Sequence, residues 1–147
     1  LDTYEKELKK KLLEITENVD TYYGEFSSLN DISIDTKKMP MIYVDFIGEN
    51  PIDSFTTTLE YSLYLVAASF SKNEKTRDIK RYDVYTLIDE VNKKLHSNRI
   101  LDSGLIKLKA SKKILDAKTS NAYLVIFQKN LEFNIETISA DEGLIDE

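Results

Sequence analysis

At 147 residues the chain has the length of one domain, and its 41% hydrophobic and 31% charged residues, with only 4 Gly and 2 Pro, exclude disordered and fibrous classes. It has no Cys and one His, His96, which removes disulfide scaffolds, thiol nucleophiles, iron–sulfur clusters, cysteine zinc sites and multi-histidine metal centres. Lys and Arg number 20 against 26 Asp and Glu, and the resulting charge of −6 disfavours duplex nucleic acid as the main partner.

The opening stretch is charged at Glu5, Lys6, Glu7, Lys9, Lys10 and Lys11, unlike a secretory signal, so cytosolic synthesis is expected. Asp2 and Glu5 stand at capping-box spacing. Tyr4, Leu8, Leu12, Ile15 and Val19 recur every three or four residues, an apolar stripe that predicts a helix over 3–22 with a stop at Gly24. Residues 26–39 are polar and irregular, with a short strand expected at 31–35. Pro40 opens a β-branched and aromatic run over 41–47, with Ile42, Val44 and Phe46 on one face and Gly48 at its end.

After a turn cluster at 48–51, residues 55–70 predict a long strand with Leu59, Tyr61, Leu63, Leu65 and Ala67 on one side, completing an antiparallel hairpin. The apolar part of that strand is broken by serines and far short of the ~20 residues that span a bilayer, so no membrane partner is expected. A charged loop at 71–76 leads to a second helix over 77–96, drawn by Val84, Leu87, Ile88, Val91 and Leu95 and ended by Ser97-Asn98. Two more strands, 105–118 and 121–135, flank a turn at 118–121. Residues 1–138 form one domain, and the acidic tail at 139–147 is expected to hang loose. The order α-β-β-α-β-β implies an α+β two-layer sandwich, a mixed or antiparallel sheet with both helices on one face.

No motif states a reaction. Gly24, Gly48, Gly104 and Gly143 are too scattered for a phosphate-cradling loop, so no nucleotide cofactor is expected. His96 closes a helix beside Lys93, Lys94 and Arg99, a position that suits the helix dipole better than a triad. Carboxylates at Asp31, Asp35, Asp45, Glu49 and Asp53 gather around the first hairpin, and Asp89 and Glu90 lie on the second helix. A magnesium hydrolase would need such groups, but solvated acidic surface is the commoner use. Asp45 interrupts a strand in alternation with Tyr43 and Ile47, facing solvent or a partner subunit.

Lys107, Lys109 and Lys113 alternate with apolar residues and place three ammonium groups on one strand face. They either meet an acidic partner or nucleic acid, or guard an edge strand against stray pairing. The strand around Tyr64 and Val66 is apolar on both sides. Its own helices cover one side, and an assembly partner is the economical cover for the other.

Several of these segments together resemble the tail-terminator (tail-completion) proteins of Mu-like phages and prophages. They are the opening amphipathic helix ending near Tyr23-Gly24 with Phe26 behind it, Met39-Pro40-Met41-Ile42-Tyr43-Val44, the long strand through 61–69, the helix Tyr85-Thr86-Leu87-Ile88-Asp89-Glu90-Val91 to Leu95, and the closing strand over 122–133. The chain departs from that pattern at Asp83 and at Ser97-Asn98, where glycine is the family choice.

The resemblance implies a non-enzymatic virion protein with no cofactor or metal. It would assemble in the host cytoplasm into a ring, typically a hexamer, that caps the tail tube and joins tail to head. Its partners would be copies of itself, a tube protein and a head–tail connector, with DNA passing through the lumen. On that reading Tyr64, Val66, Asp45 and Glu49 are interface residues, and Lys107, Lys109 and Lys113 line the lumen. A small adaptor or regulatory α+β domain that binds a peptide or small anion shares this element order and is the alternative, as is an obligate dimer without ligand.

Overall fold

The computed structural model describes residues 1–26, 39–69, 74–118 and 123–137. Its elements in chain order are α1 (Asp2–Leu12), β1 (Val19–Thr21), β2 (Met41–Pro51), β3 (Thr56–Ser69), α2 (Glu74–Leu95), β4 (Lys107–Lys118) and β5 (Tyr123–Glu136). The strands form one sheet in the order β1-β2-β3-β5-β4, with β1 parallel to β2 and all other neighbours antiparallel. Both helices pack on the same face, so the fold is the α+β sandwich read from the sequence. The strand expected at 31–35, the loop over 27–38, residues 71–73, the turn after Lys118 and the tail from 139 lie outside the described residues.

Period-two alternation builds the core. Ile42 and Val44 of β2, Leu59, Tyr61, Leu63, Leu65 and Ala67 of β3, and Tyr123, Val125, Leu131, Phe133 and Ile135 of β5 all face the helices. Leu8 and Leu12 of α1 and Val84, Leu87, Val91 and Leu95 of α2 close over them. Full burial of such side chains contributes roughly 1.5–3 kcal/mol each. Tyr61 is central. Its ring stacks on Phe133 at 5.7 Å and 12° and meets Phe46 edge-on at 5.3 Å, while Tyr4 of α1 leans on Phe133 at 6.1 Å. Burial pushes the Tyr61 phenol well above its ordinary value of 10.

The first helix ends ten residues earlier than its apolar stripe implies. Thr16 and Asn18 both donate side-chain hydrogen bonds to the Pro40 carbonyl, at 3.1 and 3.3 Å, and Asn18 N–H donates to Thr16 Oγ1. Such residues compete with the helical backbone. The Asn18 carbonyl then accepts from Ile42 N–H, and Tyr22 N–H donates to Val44, which turns Val19 into a strand residue beside β2. The expected capping box is also absent: Leu1 precedes the helix and makes no side-chain cap, and Asp2 pairs instead with Lys6 at 3.2 Å.

The far side of the sandwich is tied by charge. Arg81 of α2 bonds to Asp116 of β4, Tyr123 donates to the same carboxylate, and Lys113 lies 3.5 Å from it. Burial alone would raise the Asp116 carboxyl, but the Tyr123 hydroxyl and the two cations hold it below its ordinary value of 3.8. Tyr85 continues this line with an edge contact to Phe127 at 6.0 Å. The α2 helix stops at its sequence-predicted end, where Ser97 takes a left-handed φ of 57°.

Candidate functional site

The sheet face away from the helices is divided in two. Toward one end Met41, Val66, Ala68, Leu124 and Ile126 form a second apolar cluster. Tyr22 and Phe26, from the segment after β1, fold onto it: Tyr22 stacks on Tyr64 at 4.4 Å, and Phe26 meets Tyr43 edge-on at 5.5 Å. Phe26 N–H donates to the Tyr22 hydroxyl, which locks the two rings together. Val66 is therefore 1% exposed within the chain itself, and Tyr64 is half-buried. No second copy is needed to cover Val66, which corrects that part of the expected interface. The doubly apolar strand reflects cover on both faces, and part of the second cover is the chain's own aromatic flap.

Toward the other end the same face is polar. Ser62 bonds to Asn130 at 2.5 Å, Gln128 donates to Ser62 at 3.1 Å, and Thr58 donates to Asn134 at 2.7 Å. A shallow cleft of about 210 Å³ opens here, lined by Ile47, Glu60, Ser62, Lys109, Gln128 and Asn130. It offers hydrogen-bond donors and acceptors of both signs, suited to a polar chain segment.

Irregular pairing redistributes the charges that simple alternation would align. A register shift between Phe46 and Gly48 leaves Asp45 opposite Ser62 on the outer face but sets Glu49 opposite Leu59 on the helix side. Asp45 is half-buried, where alternation had placed it facing solvent or a partner subunit. Burial, Glu5 and Glu25 raise its carboxyl above 3.8. Two shifts in β4, between Leu108 and Ser111 and between Lys113 and Leu115, break up the lysine row. Lys107 and Lys109 share Glu132 on the outer face, at 3.9 and 3.3 Å. Lys113 lies opposite Phe127 on the helix side, beside Asp116, while Lys112 takes the outer face opposite Gln128. The expected single face of Lys107, Lys109 and Lys113 does not exist.

Among the described residues the other acidic candidates are structural or solvated, and Asp31 and Asp35 lie outside them. Asp53 accepts from the N–H groups of Phe55 and Thr56, at 2.7 and 2.8 Å, and so shapes the β2–β3 turn. Asp89 and Glu90 are exposed on α2, as is His96 after it. Among the described residues no group of three or more His, Asp or Glu side chains could hold a metal ion, and no helix is long and apolar enough to cross a membrane.

Several large apolar side chains are exposed, among them Tyr23, Ile79 and Tyr82, and alternation does not mark the pair at the β2–β3 tip. Ile52 and Phe55 flank the Asp53 turn and are 57% and 79% exposed. The tip is rigidly built: Ile52 N–H donates to Thr56, and Thr137 N–H ties the Phe55 carbonyl to the end of β5. The available signal was a pair of large apolar residues on either side of a polar turn, where turn chemistry alone calls for none. No family model matches the chain, and no curated protein matches it in sequence.

Proposed function

We propose that the protein is a structural tail component of a phage or prophage, a tail terminator that closes into a ring, caps the tail tube and joins tail to head. The observation that carries this is the β2–β3 tip. A phenylalanine and an isoleucine held in solvent by a turn-capping aspartate and a strap to β5 form a preformed apolar anchor, the kind of group that gains binding free energy when a partner covers it. Its rigidity lowers the ordering cost of docking. The resemblance supplies the partner: the tip seats on the last ring of tube subunits and blocks addition of the next. Because Lys107, Lys109 and Lys113 do not share a face, contact with passing DNA is not part of the proposal.

The test is complementation of the encoding phage or prophage with an Ile52→Asp/Phe55→Asp double variant. The variant is expected to fold with an unchanged melting profile yet to leave tails of irregular length without heads in negative-stain micrographs. Normal, head-joined tails would overturn the proposal. The polar cleft at Ser62, Gln128 and Asn130 favours a second reading, an adaptor that binds an extended peptide. Saturable amide shifts confined to these residues on titration with a random peptide pool would support it.

A further inference from the structure

The two edges of the sheet carry opposite charge. At the β1–β2 edge, Asp20 and Asp45 lie on the outer face and Glu49 on the helix side, and none of the three is in an ion pair among the described residues, while Lys9 of α1, which bonds to Thr21 of β1, is matched by Glu5 at 3.9 Å. At the β4 edge, cations outnumber carboxylates on both faces. Lys107 and Lys109 share the single Glu132 on the outer face, where Lys112 adds a third charge, and Lys113 and Arg81 share the single Asp116 on the helix side. Five strands spaced about 4.8 Å apart put the edges roughly 19 Å from one another. That is about two Debye lengths at physiological salt, so the poles do not neutralise each other within one chain.

Both edges also have unused main chain. The short β1 pairs only with Ile42–Val44, so β2 beyond Val44 has no strand on its outer side among the described residues. Pro51, which lacks an N–H, is tolerated at such an edge. Among the described residues the outer side of β4 likewise has no neighbouring strand, and its two register shifts interrupt the row that a stray strand would need. Recognition at this pair of edges therefore rests on side-chain charge.

We infer that the occupant of each edge is a second copy of this chain, the β4 edge of one copy meeting the β1–β2 edge of the next. Like charges set opposite one another destabilise strand contacts and opposite charges stabilise them. A two-fold dimer through either edge would face lysine with lysine or carboxylate with carboxylate. Head-to-tail contact instead sets Asp20 and Asp45 against the outer-face lysines and Glu49 against Lys113. Such a heterologous contact repeats around an axis and closes into a ring when the rotation allows. The inference rests on the tail-terminator reading for its biological setting, but the contact itself is argued from the edges.

The experiment uses full-length chains and exposed positions. An Asp20→Lys/Glu49→Lys variant makes both edges basic, and a Lys107→Glu/Lys112→Glu variant makes both acidic. In sedimentation velocity at low salt, the wild type is expected to assemble and each variant alone to remain monomeric. An equimolar mixture of the two variants regains the assembled species, because every contact again joins opposite charges. Assembly of either variant alone, failure of the mixture to assemble, or a wild type that stays monomeric at its highest soluble concentration each overturns the inference. Tail complementation separates the two claims. Charge variants that each still assemble alone and cap tails as well as the wild type would reject this contact and keep the terminator. Rescue in the mixture with no tail defect in any variant would keep the contact and reject the terminator.

Discussion

Lys129 offers the sharpest test of the sheet's registration. It occupies the helix-facing row of β5 between Phe127 and Leu131, with Leu63 opposite on β3 and Ser111 opposite on β4. Only 7% of the residue is exposed, and its ammonium makes no ion pair or hydrogen bond among the described residues. Lys129→Met keeps the length of the stem and removes the charge. Replacing buried charge by apolar volume stabilises proteins by about 1–4 kcal/mol, and a single amine near a sheet edge belongs at the low end, about 1 kcal/mol. For a chain of this size that is a rise in melting temperature of roughly 3 °C.

The pH dependence gives the sign. Desolvation lowers the folded lysine below its ordinary 10.5. Below the folded value both states hold the proton, and the wild type bears the whole cost. Between the folded value and 10.5 the unfolded chain binds more protons, so wild-type stability gains with pH relative to the variant. The advantage of Lys129→Met should therefore be largest near neutrality and shrink as the pH approaches 10.5. Urea denaturation of both proteins across pH 7–10.5 measures this. A variant less stable at pH 7, or a gap that stays constant with pH, would show that the lysine has a partner and that the placement is wrong.

Three further outcomes follow from the packing. Phe133→Ala removes the ring stacked on Tyr61 and should cost about 3–5 kcal/mol in chemical denaturation, whereas a loss under 1 kcal/mol would contradict the central stack. Asp116→Asn should abolish one acid-range dependence: the folded carboxyl titrates below 3.8, so its contribution is intact above that value and is lost as the pH falls through the lowered one. Melting curves between pH 2 and 5 should then be flatter for the variant than for the wild type. Tyr61 should stay protonated in ultraviolet titration past pH 10 until the chain unfolds, and its stabilising effect is lost as the pH rises above 10, because only the unfolded phenol ionises there.

The long strands β3 and β5 and the second helix are legible because their patterns are long and uninterrupted: β3 and β5 run over fourteen residues each, and α2 repeats its apolar positions from Val84 to Leu95, about three turns. The first helix was overextended because Ile15 and Val19 fit a helical stripe, while the groups that end it, Thr16 and Asn18, find their acceptor at Pro40, more than twenty residues away. The facing of Glu49 and Lys113 was illegible for a related reason. A single extra residue in β2 or β4 inverts every position beyond it, and alternation carries no mark of a bulge. From the sequence alone Val66 calls for a partner, because nothing local connects it to Tyr22 and Phe26, which reach its face through the fold.

Self-assembly through one repeated contact is the claim on which the functional account stands. Native mass spectrometry of the purified full chain, sprayed from low ionic strength, addresses it directly. The expected result is a closed species of defined multiplicity, six by the resemblance, that falls apart as salt is raised and its charged edges are screened. A monomer at every concentration, or a dimer indifferent to salt, would contradict it.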